Sequence, residues 1–143
     1  MKKITQKPHF VFWILIPVLL LIGYIDSNET IAINIHDTYF VITMLNLGVL
    51  LSIMCGIIGL GYWVVIKLNR RLVNWLTIIH LIITVISLCL ILLIPFFLPE
   101  SNQGITSLYF DAQVTITLSA LVAVCIQSLY LVNIIIALIR KTN

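Results

Sequence analysis

The chain is 143 residues long, 62% hydrophobic and 9% charged, a balance that would leave a soluble domain of this size without a polar surface. Eight Lys and Arg against five Asp and Glu give a formal net charge of +3. That charge reflects basic residues flanking apolar runs rather than a nucleic-acid surface, and the lipid bilayer is the expected solvent and partner for most of the chain.

The first apolar run follows Lys2, Lys3 and Lys7 and predicts a helix over 9–25. It ends Gly23-Tyr24-Ile25-Asp26, with bulky residues where a signal-peptide cleavage site needs small ones, so it is expected to remain as an anchor. Pro8 suits a first helical turn, and Pro17 falls mid-span, where a kink is expected. Residues 28–35 then alternate, with Ile31, Ile33 and Ile35 at the period of an extended segment. A second helix is expected over 38–66, entered through His36-Asp37-Thr38-Tyr39. Asp37 is placed to cap it, its carboxylate accepting from first-turn amides and complementing the helix dipole. Along this helix Gly48, Ser52 and Gly56 recur every four residues, with Cys55 and Gly59 on the same side. Such a small-residue stripe lets two backbones approach closely.

A third helix over 72–98 carries Thr77, His80, Thr84 and Ser87 on one stripe, expected to face the bundle. The fourth, over 113–139, has a row of Gln113, Thr117, Ala120, Gln127 and Ser128, with Asn133 off it on a face open to a partner subunit. These rows suit interhelical hydrogen bonding, each bond worth on average about 0.6 kcal/mol in membranes. The alternative is a lining for a small polar or haem-like ligand. Cys55, Cys89 and Cys125 fall one to a helix and read as packing residues, not as disulfide partners or thiolate metal ligands.

Lys2, Lys3, Lys7, Lys67, Arg70, Arg71, Arg140 and Lys141 all lie on one side of this zigzag, and Asp26, Glu29, Asp37, Glu100 and Asp111 on the other. Basic loops stay cytoplasmic, so the expected fold is all-α and polytopic. It is one domain over 1–143, with four transmembrane helices and both termini inside. Trp13, Trp63 and Trp75 lie near the expected inner boundary, where amphipathic rings favour the headgroup zone. No Asp, Glu, Lys or Arg falls inside a span, which argues against a proton relay, secondary transporter or voltage sensor. There is no phosphate-binding glycine loop and no HExxH zinc motif.

The run His36-Asp37-Thr38-Tyr39-Phe40-Val41-Ile42 resembles the entry to the tenth transmembrane helix of the haem-copper oxidase main subunit, subunit I of cytochrome c oxidase. Trp75, His80 and Pro95-Phe96-Phe97 follow in an order like that of the family's next helix, at shifted spacing. The chain is similar to the last four helices of that family. The two haem-ligating histidines of the tenth helix are replaced by Met44 and Asn46, and the helices that bring the copper ligands have no counterpart here. The resemblance therefore implies the family's scaffold without its oxygen-reducing centre. It also implies a magnesium site at His36 and Asp37, completed by Glu29, Asp111 or a partner's carboxylate, since magnesium prefers octahedral oxygen ligation.

Met44 and His80 are the residues a haem iron would have to use. Met44 is expected about six residues inside one boundary and His80 about eight inside the other, on the order of 10 Å apart along the membrane normal. One haem does not join them within a monomer. The expected function is non-catalytic: an accessory or structural protein that packs against respiratory oxidase subunits or against itself, with no cofactor. The alternative is a small haem- or quinone-binding membrane protein.

Overall fold

The computed structural model describes residues 7–25, 27–35, 38–97 and 106–140. Helix α1 spans Pro8–Ile25 and continues through Pro17; Pro8 occupies its first position, where a missing N–H costs nothing. A hairpin follows, β1 (Thr30–Ile35) and β2 (Thr38–Thr43), leading directly into α2 (Met44–Lys67). After a short turn come α3 (Asn74–Leu93) and a 3-10 turn over Ile94–Phe97. The last span comprises α4 (Thr106–Cys125) and α5 (Gln127–Ile139), joined through Ile126. Apart from the hairpin the chain is all-α, and Pro8–Ile25, Met44–Lys67, Asn74–Phe97 and Ala112–Ile139 are each long and apolar enough to cross a membrane.

The second helix starts later than the expected 38–66. Residues 38–43 are extended and pair antiparallel with β1, Thr30 opposite Thr43 and Ile33 opposite Phe40. Thr38-Tyr39-Phe40-Val41-Ile42-Thr43 is a run of β-branched and aromatic residues, which suit a pleated surface better than a helix. The alternation read in 28–35 does correspond to a strand. The cap of α2 is Thr43, whose hydroxyl accepts from the Asn46 N–H at 3.3 Å, and the Met44 N–H is taken by the Glu29 carbonyl at 2.8 Å. That moves the helix start away from Asp37. Asp37 and His36 lie outside the described residues, as do Asp26 and Glu100.

The third helix gives way to its 3-10 turn at Ile94, next to Pro95, whose missing N–H cannot extend an α-helix. The fourth begins at Thr106, before the expected residue 113, because the hydropathy pattern marks the span and not the polar turns that extend it.

Buried positions alternate at steps of three and four on every span. They run His9, Phe12, Leu19 and Gly23 on α1, and Met44, Gly48, Leu51, Cys55, Ile58, Tyr62 and Val65 on α2. On α3 the series is Thr77, His80, Thr84, Ser87 and Ile91. Across α4 and α5 it is Ala112, Ile116, Ser119, Ala123, Tyr130, Asn133 and Ala137. A repeat averaging 3.5 residues is the seam of left-handed bundle packing, common among membrane helices.

Glycines set how close α1 and α2 come. A Cβ on Gly48 would stand 2.8 Å from the Leu19 carbonyl oxygen and 3.2 Å from Gly23 Cα, and a Cβ on Gly23 would stand 2.8 Å from the Met44 carbonyl oxygen. Further along the same contact, the Ser52 hydroxyl donates to the Ile16 carbonyl at 3.2 Å. A Cβ on Gly59 would fall 2.5 Å from Trp13 Nε1, whereas one on Gly56 would meet only Ile16 Cδ1, at 3.8 Å. The small-residue stripe of α2 therefore lies along α1, with Gly48 at its tightest point and Gly56 at its edge.

Two of the three cysteines differ from the packing role expected of them. Cys55 is buried, but Cys89 and Cys125 are exposed on outward faces.

Candidate functional site

The polar stripe of α3 turns inward, with Thr77, His80 and Thr84 fully buried and Ser87 nearly so. Around His80 each of the four spans contributes one aromatic ring or the histidine itself. Phe12 of α1 lies 5.6 Å away centroid to centroid, Tyr62 of α2 at 5.8 Å, and Tyr130 of α5 stacks on the imidazole at 5.4 Å. Tyr62 and Tyr130 meet edge to face at 5.0 Å, a favoured aromatic geometry. The Tyr130 hydroxyl reaches this position because it lies directly against Gly61, where no side chain intervenes.

The hydrogen bonds around His80 fix its proton. Gln127 Nε2 donates to the Ala123 carbonyl at 2.7 Å, so its Oε1 is the atom facing His80 Nε2 at 3.1 Å. A carbonyl oxygen only accepts, so Nε2 carries the proton. The Tyr62 hydroxyl lies 3.0 Å from His80 Nδ1. With Nε2 carrying the proton of the neutral ring, Nδ1 supplies the lone pair and the Tyr62 hydroxyl donates to it. His80 is thus held between helices α2 and α5 with both ring nitrogens engaged.

One turn nearer the start of α3 a second, closed set of bonds ties the same elements. Asn133 Nδ2 donates to Thr77 Oγ1 at 2.9 Å, Thr77 Oγ1 donates to the Val73 carbonyl at 3.1 Å, and the Val73 N–H donates to Asn133 Oδ1 at 3.0 Å. Val73 is the N-cap of α3 and has no side-chain cap of its own. Asn133 supplies that missing acceptor from another helix, satisfying a donor that hydrocarbon would leave costly. Asn133 is fully buried, which corrects its placement on a partner-facing surface. It is off the Gln113–Gln127 row, as expected, but three residues from Tyr130 and four from Ala137 it shares their buried face, and it is the row that lies beside that face.

Of that row, Gln127 joins the network, while Gln113, Thr117 and Ala120 are half-buried. Ser128 is exposed and donates to the Cys125 carbonyl at the end of α4 at 2.8 Å. Gln127 and Ser128 thus bond carbonyls one turn back, at the Ile126 junction between α4 and α5, where such side-chain bonds compete with the backbone ladder. Among the described residues, Thr84 Oγ1 and His9 Nδ1 are buried without a hydrogen-bond partner.

Met44 and His80 do not meet. Met44 is the first residue of α2, and His80 pairs with Tyr62, about 27 Å further along that helix at 1.5 Å per residue. The separation exceeds the expected 10 Å because α2 begins at Met44 and runs nearly its whole length before reaching His80. Gly48, Ser52 and Gly59 belong to the α1 contact; Gly59 also packs against Phe12, beside the rings around His80. Among the described residues no group of three or more His, Cys, Asp and Glu stands close enough to hold a metal ion.

Phe12, Tyr62 and Tyr130 were missed as site residues because an aromatic in an apolar run looks the same whether it faces lipid or the bundle. Their signal was the 3.5-residue seam. The chain matched no family model, no curated protein and no solved structure. What fold and site define together is a multi-pass membrane protein of four apolar helices with a closed polar and aromatic network at its centre.

Proposed function

We propose that this chain is a non-catalytic protein of the cytoplasmic membrane that serves as an accessory or structural subunit of a respiratory membrane assembly, with both termini on the cytoplasmic side. The observation that carries the non-catalytic reading is the engagement of both His80 nitrogens, Nδ1 by Tyr62 and Nε2 by Gln127. A side chain so held works as a tie between helices. The one hydroxyl bonded to it belongs to Tyr62, which is fully buried and so out of reach of a substrate.

The orientation rests on charge. Lys7 precedes α1, Lys67 ends α2, and the Arg70 guanidinium donates to the Arg140 carbonyl, so these groups gather at one end of the bundle while Glu29 sits at the other. Positively charged ends stay inside. The respiratory part rests on the resemblance of His36–Ile42 to the oxidase main subunit. The outward faces of the four spans are predominantly apolar, which suits lipid or another membrane helix alike.

Haem or quinone binding at this site would require displacing Tyr62 or Gln127 from His80. Magnesium binding falls to His36 and Asp37, outside the described residues.

Gentle purification of the tagged protein from its native membranes, with mass spectrometry and a visible spectrum, tests the reading. The expected result is reproducible recovery of respiratory oxidase subunits and no Soret band belonging to this chain. Recovery of the protein alone, carrying a stoichiometric Soret band, would overturn it.

A further inference from the structure

The basic end of the bundle has no carboxylate side chain to balance it: no Asp or Glu occurs before Asp26, between Asp37 and Glu100, or after Asp111. The cations there are nevertheless held in place. After α2 the chain turns through Asn69, in the left-handed conformation at φ 55, and the Arg70 N–H returns to the Val65 carbonyl at 3.1 Å. This keeps Arg70 beside Lys67, whose ammonium sits 4.5 Å from the centroid of the Trp63 ring. Arg70 Nη1 then donates to the Arg140 carbonyl at 3.0 Å, drawing the end of α5 against the turn. A guanidinium has five N–H donors, so this bond leaves Arg70 with further donors, beside the exposed side chain of Arg140.

We propose that Lys67, Arg70 and Arg140 hold the headgroup of an anionic phospholipid, its phosphate bridging the α2–α3 turn and the end of α5. Charge complementarity calls for an anion, and the surface next to the cations selects a lipid over free phosphate. Leu68 and Ile139 are exposed apolar side chains immediately adjacent to Lys67 and Arg140, and Trp75 is exposed in the first turn of α3. Acyl chains continue from the phosphate along such a surface, and basic pockets between helices at the cytoplasmic boundary bind anionic headgroups in this way. Arginine suits the role because its planar fork matches two phosphate oxygens at once. The proposal rests on the membrane placement of the basic end and not on the accessory role.

The test uses the full chain in phosphatidylcholine bilayers containing trace spin-labelled phosphatidylglycerol or spin-labelled phosphatidylcholine, with electron paramagnetic resonance measuring the lipid held at the protein surface. The expected preference for phosphatidylglycerol is on the order of fivefold at low salt. Arg140→Gln keeps the carbonyl that accepts from Arg70 and should bring the preference close to unity, whereas Lys7→Gln should leave it. Lys67→Gln gives the same reading if Arg140→Gln does not fold. Equal association of the two lipids with the unaltered protein would overturn the proposal, and so would equal losses in Lys7→Gln and Arg140→Gln, which would mark diffuse surface charge. Displacement of spin-labelled phosphatidylglycerol by inorganic phosphate beyond that by chloride of equal ionic strength would assign the site to free phosphate instead.

Discussion

Replacing Gly48 by Ala should force α1 and α2 apart, while the same change at Gly56 should be nearly silent. The new methyl at Gly48 stands 2.8 Å from the Leu19 carbonyl oxygen and 3.2 Å from Gly23 Cα. Both are backbone atoms, so neither moves unless the whole helix moves. Restoring ordinary contact takes a shift of about half an ångström, and a gap of that size forfeits about a quarter to a half of each dispersion well along the seam. Overpacking of this kind costs about 1–3 kcal/mol. It also strains the Ser52 hydroxyl bond to Ile16, one turn further along. At Gly56 the methyl meets Ile16 Cδ1 at 3.8 Å, an ordinary contact that fills space, and alanine is the better helix former by about 1 kcal/mol. The assay is reversible unfolding in mixed micelles by titration with sodium dodecyl sulfate, followed by far-UV circular dichroism and by tryptophan emission, since Trp13 packs at Gly59. Gly48→Ala within about 0.5 kcal/mol of the unaltered protein, or Gly56→Ala as damaging as Gly48→Ala, would refute the close-approach argument.

The polar network makes its own predictions in the same assay. A double-mutant cycle on Tyr62→Phe and His80→Phe should give a coupling energy near 0.6 kcal/mol and no more than about 1.7 kcal/mol; strict additivity would mean the Tyr62–His80 bond contributes nothing. Asn133→Ala removes the acceptor of the Val73 N–H and the donor to Thr77 together, so it should destabilise by about 1–2 kcal/mol. Hydrogen exchange at the start of α3 should speed up in that variant, and unchanged protection there would argue against capping by Asn133. Thr84→Val replaces a buried hydroxyl that has no partner with a methyl of similar shape, and should be neutral or stabilising by up to about 1 kcal/mol; a marked loss of stability would reveal a partner for that hydroxyl.

Charge segregation and hydropathy were enough to locate four spans and to group the basic loops, because a bilayer imposes span length and side preference on the linear chain with little help from packing. The inward turn of Thr77, His80, Thr84 and Ser87 was also legible, since a helix places such spacings on one face wherever it sits. Other features depended on what lay opposite. Residues 38–43 read as the start of a helix until β1 supplied a pairing partner, because strand formation is decided by cross-strand contact. Asn133 was judged against the Gln113–Ser128 row, whereas the buried face of that span runs through Ala112, Ile116, Ser119, Ala123, Tyr130 and Ala137, and only the neighbouring helices decide which of two adjacent stripes turns inward. Gly23 gained its meaning from Gly48, and Tyr62 and Tyr130 from His80. Local periodicity settles which face of a helix is polar, whereas the partner of each buried group is a property of two helices at once and appears only when both are in place.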